Sequence, residues 1–366
     1  MAAPDLVVAS AYGPAGASTR VRLLDWVRFL GLEAEVLNYL GTSNVRPRTL
    51  ARHPLGVARA ESRLRRVRRR PAPERLLISR SMGPFTGGRL EAGLLQRAGW
   101  GVYDFDDALY AAHRGGVHRY LGQSAVWARA VASADLVIAG NAHLAEAAAE
   151  LNPNVQVIPS CVDPAGCPRK RDYTVGPVPQ LVWMGSPSTE GYLQVVAPAL
   201  LEVHRRTGAR LVLVSAGHRP LGELDTMVDR VAWAGPDTDT LLARADCGIM
   251  PLPDDPFTRG KCAYKLLQYG AAGLPAVASP IGVNAQVIEQ LHGRAATDRE
   301  SWVTALVDLL AEPVAQREAR GQAARKAVED HYSFTAWSEA FRAALHLPAD
   351  GVPGGRPQRT SVRPPR

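Results

Sequence analysis

Lysine is nearly missing from this chain. Of 43 basic residues only Lys170, Lys261, Lys265 and Lys326 are lysine, so wherever two fall close together the placement is informative. Cysteine is sparse as well. Cys161, Cys167, Cys247 and Cys262 make no C-x-x-C pair and have no histidine at zinc-ligand spacing, which excludes a zinc ribbon or a disulfide scaffold. Four reduced, mostly structural thiols are expected instead. No apolar run approaches the ~18 residues needed to cross a bilayer. The opening MAAPD leads straight into LVVASAY, with neither a basic n-region nor a long apolar stretch, so no secretory signal is read and a cytoplasmic protein is expected. No internal repeat of solenoid length is present.

What remains suits a globular protein. A hydrophobic content of 46% over 366 residues is enough for two core-bearing domains of about 150 residues each. The net charge of +8 implies an anionic partner: nucleic acid, an acidic membrane or a phosphorylated small molecule. That charge is uneven. Arg59, Arg63, Arg65, Arg66, Arg68, Arg69 and Arg70 crowd one helix expected over residues 55–70. The helix reads either as a solvated face in an arginine-rich chain or as a patch for an anionic bilayer or a phosphate-bearing acceptor.

Along the chain, short apolar runs alternate with helical periodicity, the pattern of a mostly parallel sheet with crossover helices. Leu6 to Ala11 reads as a strand, followed by a loop with Gly13 and Gly16 and a helix that Ser18 or Thr19 could cap. Strands are expected at 35–39, 76–79, 101–105, 136–140 and 155–159, with Asn141 capping a helix to about Leu151. The Pro- and Gly-rich residues 164–179 read as a linker. A second alternation starts with the strand Leu181 to Met184 and the loop Gly185-Ser186-Pro187-Ser188-Thr189. Beyond Leu347 the tail is Pro, Gly and Arg with little to bury and is expected to be disordered.

The most informative stretch is MPLPDDPFTRGKCAYKLLQYGAAGLPAVASPIGVN, Met250 to Asn284. Three prolines close a loop, and a helix is expected from Lys261 to Ala272, ending at Gly273 and Pro275. Lys261, Lys265 and Gln268, spaced four and three apart, would share one face near its N-terminal end, where free N–H groups and the helix dipole favour an anion. A solvated basic face would carry the same spacing. Gly282 allows a close approach of the backbone to whatever lies in front of it.

This stretch, together with VYDFDDALY (102–110), SADLVIAGNAHLAEAA (133–148), VQVIPSCVD (155–163) and LVWMGSPST (181–189), resembles glycosyltransferase family 4. These are retaining nucleotide-sugar glycosyltransferases of the GT-B fold. The resemblance implies an α/β chain with two Rossmann-like domains facing each other across a cleft. Residues 1–165 would form the acceptor side, 166–180 a linker acting as hinge, and 181–330 the donor side. Residues 331–346 would return as a helix to the first domain, anchored by Phe334, Trp337 and Phe341, and 347–366 would be the tail.

It also implies roles. Gly13, Gly16 and Arg20 would face the cleft and touch donor phosphate or acceptor. Gly185 and Ser186 would pass close to the nucleotide, Arg259, Lys261 and Lys265 would hold the diphosphate, and Gln268 would read the ribose. Asp104, Asp106 and Asp107 would lie at the cleft rim to orient the acceptor or help remove its proton. His113 and His118 follow in the loop, where a histidine is more commonly a surface residue than a cleft residue. The sequence departs from the family pattern twice. It lacks the Arg and Lys usual around the 185–189 loop, and Glu-x7-Glu is replaced by Gly260 and Gln268. A neutral Gln268 still accepts a ribose hydroxyl, but more weakly than a carboxylate.

The implied reaction moves a sugar from a UDP- or GDP-linked donor to a hydroxyl of a glycan, lipid-linked or natural-product acceptor, with no cofactor and no metal. A metal held by Asp104-Phe105-Asp106, as in GT-A enzymes, is disfavoured because no second carboxylate cluster completes the ligand set. Peripheral membrane contact through the Arg59 to Arg70 helix is expected as an alternative to a solvated face, and nucleic acid is not expected as a partner. Two further readings stay open: a nucleotide-sugar epimerase of the same fold, and a non-catalytic arginine-rich protein binding nucleic acid or membrane. Heavy use of Arg, Ala and Gly suggests a bacterial source.

Overall fold

Two parallel sheets, each built from short apolar strands, set the architecture of the computed structural model, which describes residues 6–111, 122–233 and 237–348. His113 and His118 lie outside the described residues, as does the tail from 349 onward. The first sheet holds β1 (Leu6–Ser10), β2 (Glu35–Asn38), β3 (Arg75–Ser79), β4 (Trp100–Phe105), β5 (Leu136–Ala139) and β6 (Val155–Val157), in the order β2-β1-β3-β4-β5-β6. The second holds β7 (Gln180–Met184), β8 (Arg210–Ser215), β9 (Val228–Ala232), β10 (Cys247–Met250), β11 (Ala276–Ala278) and β12 (Arg294–Ala295), in the order β12-β11-β10-β7-β8-β9.

The central strands of both sheets are buried on two faces and read as continuous apolar runs, whereas the edge strands β2, β6, β9 and β12 are only partly buried. In the first lobe the sheet is covered by α1 (17–29), α2 (Pro47–Arg52), α3 (Pro54–Arg69), α4 (Arg89–Leu95), α5 (Gln123–Ser133) and α6 (Ala142–Ala149). Helix α1 is continuous through Ala17–Thr19, Arg20–Leu24 and Asp25–Phe29, with its middle five residues wound as π-helix. The second lobe uses α7 (Ala197–Thr207), α8 (Asp237–Arg244), α9 (Tyr264–Ala272), α10 (Asn284–Gln290), α11 (Arg299–Ala311) and α12 (Val314–His331). Helix α13 (Phe334–Ala344) crosses back to the first lobe.

That return is anchored by aromatic packing. Trp26 of α1 stacks on Phe341 at 4.1 Å and meets Phe334 edge-on at 4.8 Å. Trp337 contributes less, lying at the edge of this cluster with its indole N–H donated to the His331 carbonyl at 2.8 Å.

The expected hinge needs correcting. Segment 166–180 is not a free strap: the Lys170 ammonium is buried and donates to the Ala245 carbonyl, and the Tyr173 hydroxyl donates to that of Gly273. The chain instead crosses between lobes beside the bridge from Val162 to Ser333, where Val162 N–H donates to Tyr332 O at 3.0 Å and Phe334 N–H to Val162 O at 3.2 Å.

Strand order locates the crevice. In the first lobe the chain adds β2 on one side of β1 and then β3 on the other; in the second it adds β8 and β9 on one side of β7 and then β10 on the other. Loops leaving the carboxyl ends of β1 and β3, and of β7 and β10, therefore diverge and leave a cleft in each lobe. Those loops carry Gly13 to Ser18, Arg80, Gly185 to Thr189, and 251–263.

Candidate active site

The loop after β10 differs from the sequence expectation. Lys261 is not the first residue of a helix. A single 3₁₀ turn, Thr258–Gly260, comes first, Lys261 is extended at φ −68°, ψ 146°, and α9 begins only at Tyr264. The break is Ala263, whose φ of 52° turns the chain left-handed just ahead of the helix. Lys265 and Gln268 do share a face of α9, three residues apart, whereas Lys261 reaches the cleft from the loop.

Lys265 lies with its stem against Trp183 of β7, its ammonium 5.2 Å from the ring centroid. Gly185 makes room for it: a Cβ there would sit 2.6 Å from the Trp183 ring and 3.1 Å from Lys265 Cε. Among the described residues no carboxylate or carbonyl bonds this ammonium. Burial, and secondarily the like charge of Lys261, push it down to about 7. Beside it Ser186, Ser188 and Thr189 cluster their hydroxyls, with Ser186 Oγ 2.8 Å from Ser188 Oγ. Gln268 makes no hydrogen bond among the described residues and is only partly buried. Glu190, which follows the serine loop, is fully buried and braces it, accepting from Ser215 Oγ at 2.5 Å and Arg219 N–H at 3.1 Å.

Lys261 is engaged differently. Its Nζ donates to Asp107 Oδ1 of the first lobe at 2.7 Å and lies 4.6 Å from the Phe257 ring centroid. Burial lowers its pKa, with the nearby Arg80 guanidinium adding to the effect. Arg259 turns away from this group. It pairs with Asp254 at 2.6 Å in an ion bridge about half exposed on both sides, so it is not part of the cationic pocket.

Across the seam, the three aspartates separate at the end of β4, with Asp104 inside the strand and Asp106 and Asp107 beyond it. Asp104 belongs to β4 and is 1% exposed; it is not at the rim. Arg22, in the π-turn of α1, bonds both its oxygens, with Nε at 3.0 and 3.2 Å, and also donates to the Ile158 carbonyl. Ser79 Oγ adds a bond at 3.1 Å. Asp104 is thus a structural member of a buried pair, too enclosed to meet a substrate. Asp106 and Asp107 lie just past the strand and do face the seam. Burial alone would raise Asp106, but Arg80, Arg22 and the Ser18 hydroxyl outweigh it and hold the carboxylate below its usual range.

Arg80 carries no motif in the sequence that marks it for the cleft. It stands one residue past β3 with φ 63°, and its guanidinium donates to Asp106 Oδ1 at 2.7 Å and to Asp107 Oδ2. A signal did exist, since a charged residue leaving a central strand at a switch point belongs at the cleft. Asn141 is a second unforeseen contact. While capping α6 it donates across the seam to the Gly260 and Lys261 carbonyls at 3.3 and 3.1 Å.

The expected ligand role of the glycine loop is also revised. A Cβ on Gly13 would lie 2.2 Å from the Gly41 backbone, and one on Gly16 would lie 2.7 Å from Tyr12 Cβ, so neighbouring chain accounts for both glycines. The loop reaches the cleft through Ser18 instead, and Arg20 follows it in the π-turn without a hydrogen bond from its side chain among the described residues. Gly282, at φ 56°, likewise packs against the Arg259 carbonyl.

Five arginines of the cluster on α3 (Arg59, Arg65, Arg66, Arg68 and Arg69) and Arg70 just past its end are exposed, Arg70 pairing with Glu35, while Arg63 donates to the Asn38 and Tyr39 carbonyls. Leu55 at the start of that helix is 74% exposed. Among the described residues no helix is long and apolar enough to cross a membrane.

Comparison with known proteins agrees with this geometry. Residues 178–312 match the family model described as Glycosyl transferases group 1. A search of curated proteins found no match. Solved structures with the same fold include a sucrose-phosphate synthase from Thermosynechococcus elongatus, 14% identical, with a TM-score of 0.67 over 94% of this chain and 100% of that one. HepE of Anabaena, in complex with UDP and glucose, is 15% identical with a TM-score of 0.65 over 94% of this chain and 99% of that one. WaaG, a glycosyltransferase involved in lipopolysaccharide biosynthesis, is 15% identical with a TM-score of 0.60 over 96% and 100%. The fold is GT-B, and the family match falls on the second lobe.

Proposed function

We propose that this glycosyltransferase transfers a sugar, with retention at the anomeric carbon and without a metal ion, from a nucleoside-diphosphate donor to a hydroxyl of a glycan, lipid-linked or natural-product acceptor. The observation that carries the reading is Lys265: an ammonium laid on Trp183 at the head of α9, beside a serine-lined loop, with no counter-ion among the described residues. Buried without a partner, this ammonium sheds its proton near neutrality, and an anion completing its surroundings would keep it charged. A diphosphate over the end of α9 would do so, supported by Lys261, the Ser186 hydroxyl and backbone passing close at Gly185. Gln268, one turn along, would accept from a ribose hydroxyl.

The chemistry follows from charge. As the glycosidic bond breaks, negative charge grows on the leaving phosphate, and cations already aimed at it stabilise the transition state more than the ground state. Countercharge from two lysines serves where other enzymes use a divalent ion. Asp107, with Asp106 held beside it by Arg80, would receive the acceptor hydroxyl and help draw off its proton. The complex of HepE with UDP and glucose supports a uridine donor as the first to try.

A donor screen with UDP-, GDP- and TDP-sugars tests the reading. One donor should be consumed with release of its nucleoside diphosphate in the presence of acceptor, and the product anomer, read by NMR, should match that of the donor. Inversion, or isomerisation of the donor with no acceptor present, would replace the proposal. The exposed arginines and Leu55 of α3 favour peripheral contact with anionic lipid at the cytoplasmic membrane face, testable by co-sedimentation with phosphatidylglycerol vesicles.

A further inference from the structure

The seam between the lobes contains an ion triad that donor binding, as read above, must disturb. Asp107 is held by two cations, one from each lobe. Arg80 bonds its Oδ2 and also Asp106 Oδ1, while Lys261 bonds its Oδ1 at 2.7 Å. The side chains are largely withdrawn from water, at 13% exposure for Arg80 and Asp107, 15% for Asp106 and 20% for Lys261. Attraction between them is therefore weakly screened. Lys265 has no such partner among the described residues, so the two lysines of the pocket are not equivalent: one is placed to grip a phosphate and the other is already bound to a carboxylate.

We propose that Asp107 and the donor diphosphate compete for Lys261, and that Arg80 is the positioning residue that keeps Asp107 in place when Lys261 turns to phosphate. The proposal rests on the diphosphate reading of the α9 head. Its steps are electrostatic exchanges without covalent change. Lys265 takes the first phosphate contact. Lys261 then leaves Asp107 Oδ1 for phosphate oxygen, and the carboxylate stays fixed through Oδ2 by Arg80, whose second bond to Asp106 fixes its own plane. Asp107 Oδ1 becomes an open acceptor only at this point, in position for an acceptor hydroxyl. Donor binding thus prepares the acceptor side, and binding is ordered with donor first. Because Lys261 and Asp107 belong to different lobes, the exchange also releases one of the bonds that close the seam, while the Asn141 contacts and the bond of the Cys262 thiol to the Asp106 carbonyl remain.

Titrations of the full-length protein with UDP and with GDP by isothermal calorimetry test this. Asp107→Asn removes the competitor and should tighten the nucleotide several-fold, and that gain should vanish in Lys261→Ala/Asp107→Asn. Arg80→Gln should weaken the nucleotide, because Asp107 then pulls on Lys261 alone. Adding Asp107→Asn to Arg80→Gln should restore affinity to wild type or better, a rescue that a merely structural role for Arg80 would not give. If Asp107→Asn binds no more tightly than wild type while Lys261→Ala binds less well, the competition is refuted and the diphosphate site stands. If neither nucleotide binds wild type, both fall. Should Arg80→Gln fail to fold, as judged by circular dichroism, the Lys261 and Asp107 variants decide the competition without it.

Discussion

Donor affinity should fall as pH rises through neutrality, and the cause is one amine. Lys265 is pushed to about 7 by its burial against Trp183 and by Lys261 nearby; the other charged groups around the pocket, Glu190, Asp255, Asp106 and Asp107, do not bond it. A diphosphate laid on the ammonium reverses that penalty and returns its pKa toward the ordinary 10.5. The pKa is then higher in the complex than in the free protein, so each donor bound takes up a proton at pH values between the two. Binding is strongest below about 7 and loses up to tenfold per pH unit above it. From about pH 6 to about pH 8 the dissociation constant should rise roughly tenfold, about 1.4 kcal/mol. A nucleotide sugar is the right ligand, because both its phosphates are already ionised across this range. Calorimetry in buffers of different ionisation enthalpy should show close to one proton taken up at pH 8. Lys265→Arg, charged at every pH used, should bind with a flat profile. A wild-type affinity independent of pH, or an unchanged slope in Lys265→Arg, would refute the argument.

Three other substitutions probe the frame around this pocket. Arg22→Ala strands Asp104 in the core and should cost about 3–5 kcal/mol of stability in urea unfolding, with a loss under ~1 kcal/mol showing that the pair is not integral. Gly185→Ala drives a methyl into Trp183 and Lys265; it should weaken donor binding roughly fivefold, about 1 kcal/mol, while the circular dichroism spectrum stays unchanged. Gln268→Glu converts a neutral acceptor into a charged one at the ribose and should tighten a ribonucleotide about three- to tenfold relative to its 2′-deoxy analogue, as measured by competition. Equal gains for both would remove Gln268 from the ribose.

The two-lobe fold was legible because parallel strands buried on both faces leave continuous apolar runs. Leu181 to Met184 and Leu136 to Gly140 are read within a residue of their ends, and the aromatic anchors Phe334 and Phe341 stand out in a terminal helix made mostly of small and polar residues. Lys265 and Gln268 were legible for a similar local reason, their three-residue spacing on one helix. What escaped depends on pairs distant in sequence or on backbone choices that composition does not signal. The start of α9 was misplaced because Ala263 is left-handed, a conformation alanine rarely takes. Asp104 looked equivalent to Asp106 because its partner Arg22 is 82 residues away, brought inward by a π-turn. Arg259 looked like a phosphate ligand because nothing in its spacing shows that Asp254 holds it outward. The linker looked free because the buried bond of Lys170 to Ala245 is invisible in a Pro- and Gly-rich stretch.

The central claim is that two lysines at the head of α9 grip the donor diphosphate, and the direct measurement is nucleotide-sugar binding and turnover by Lys261→Ala/Lys265→Ala. The account predicts a protein that folds and melts like wild type yet loses at least roughly a hundredfold in kcat/KM, since the countercharge for the leaving phosphate is gone. Undiminished affinity and turnover in that double variant would contradict it.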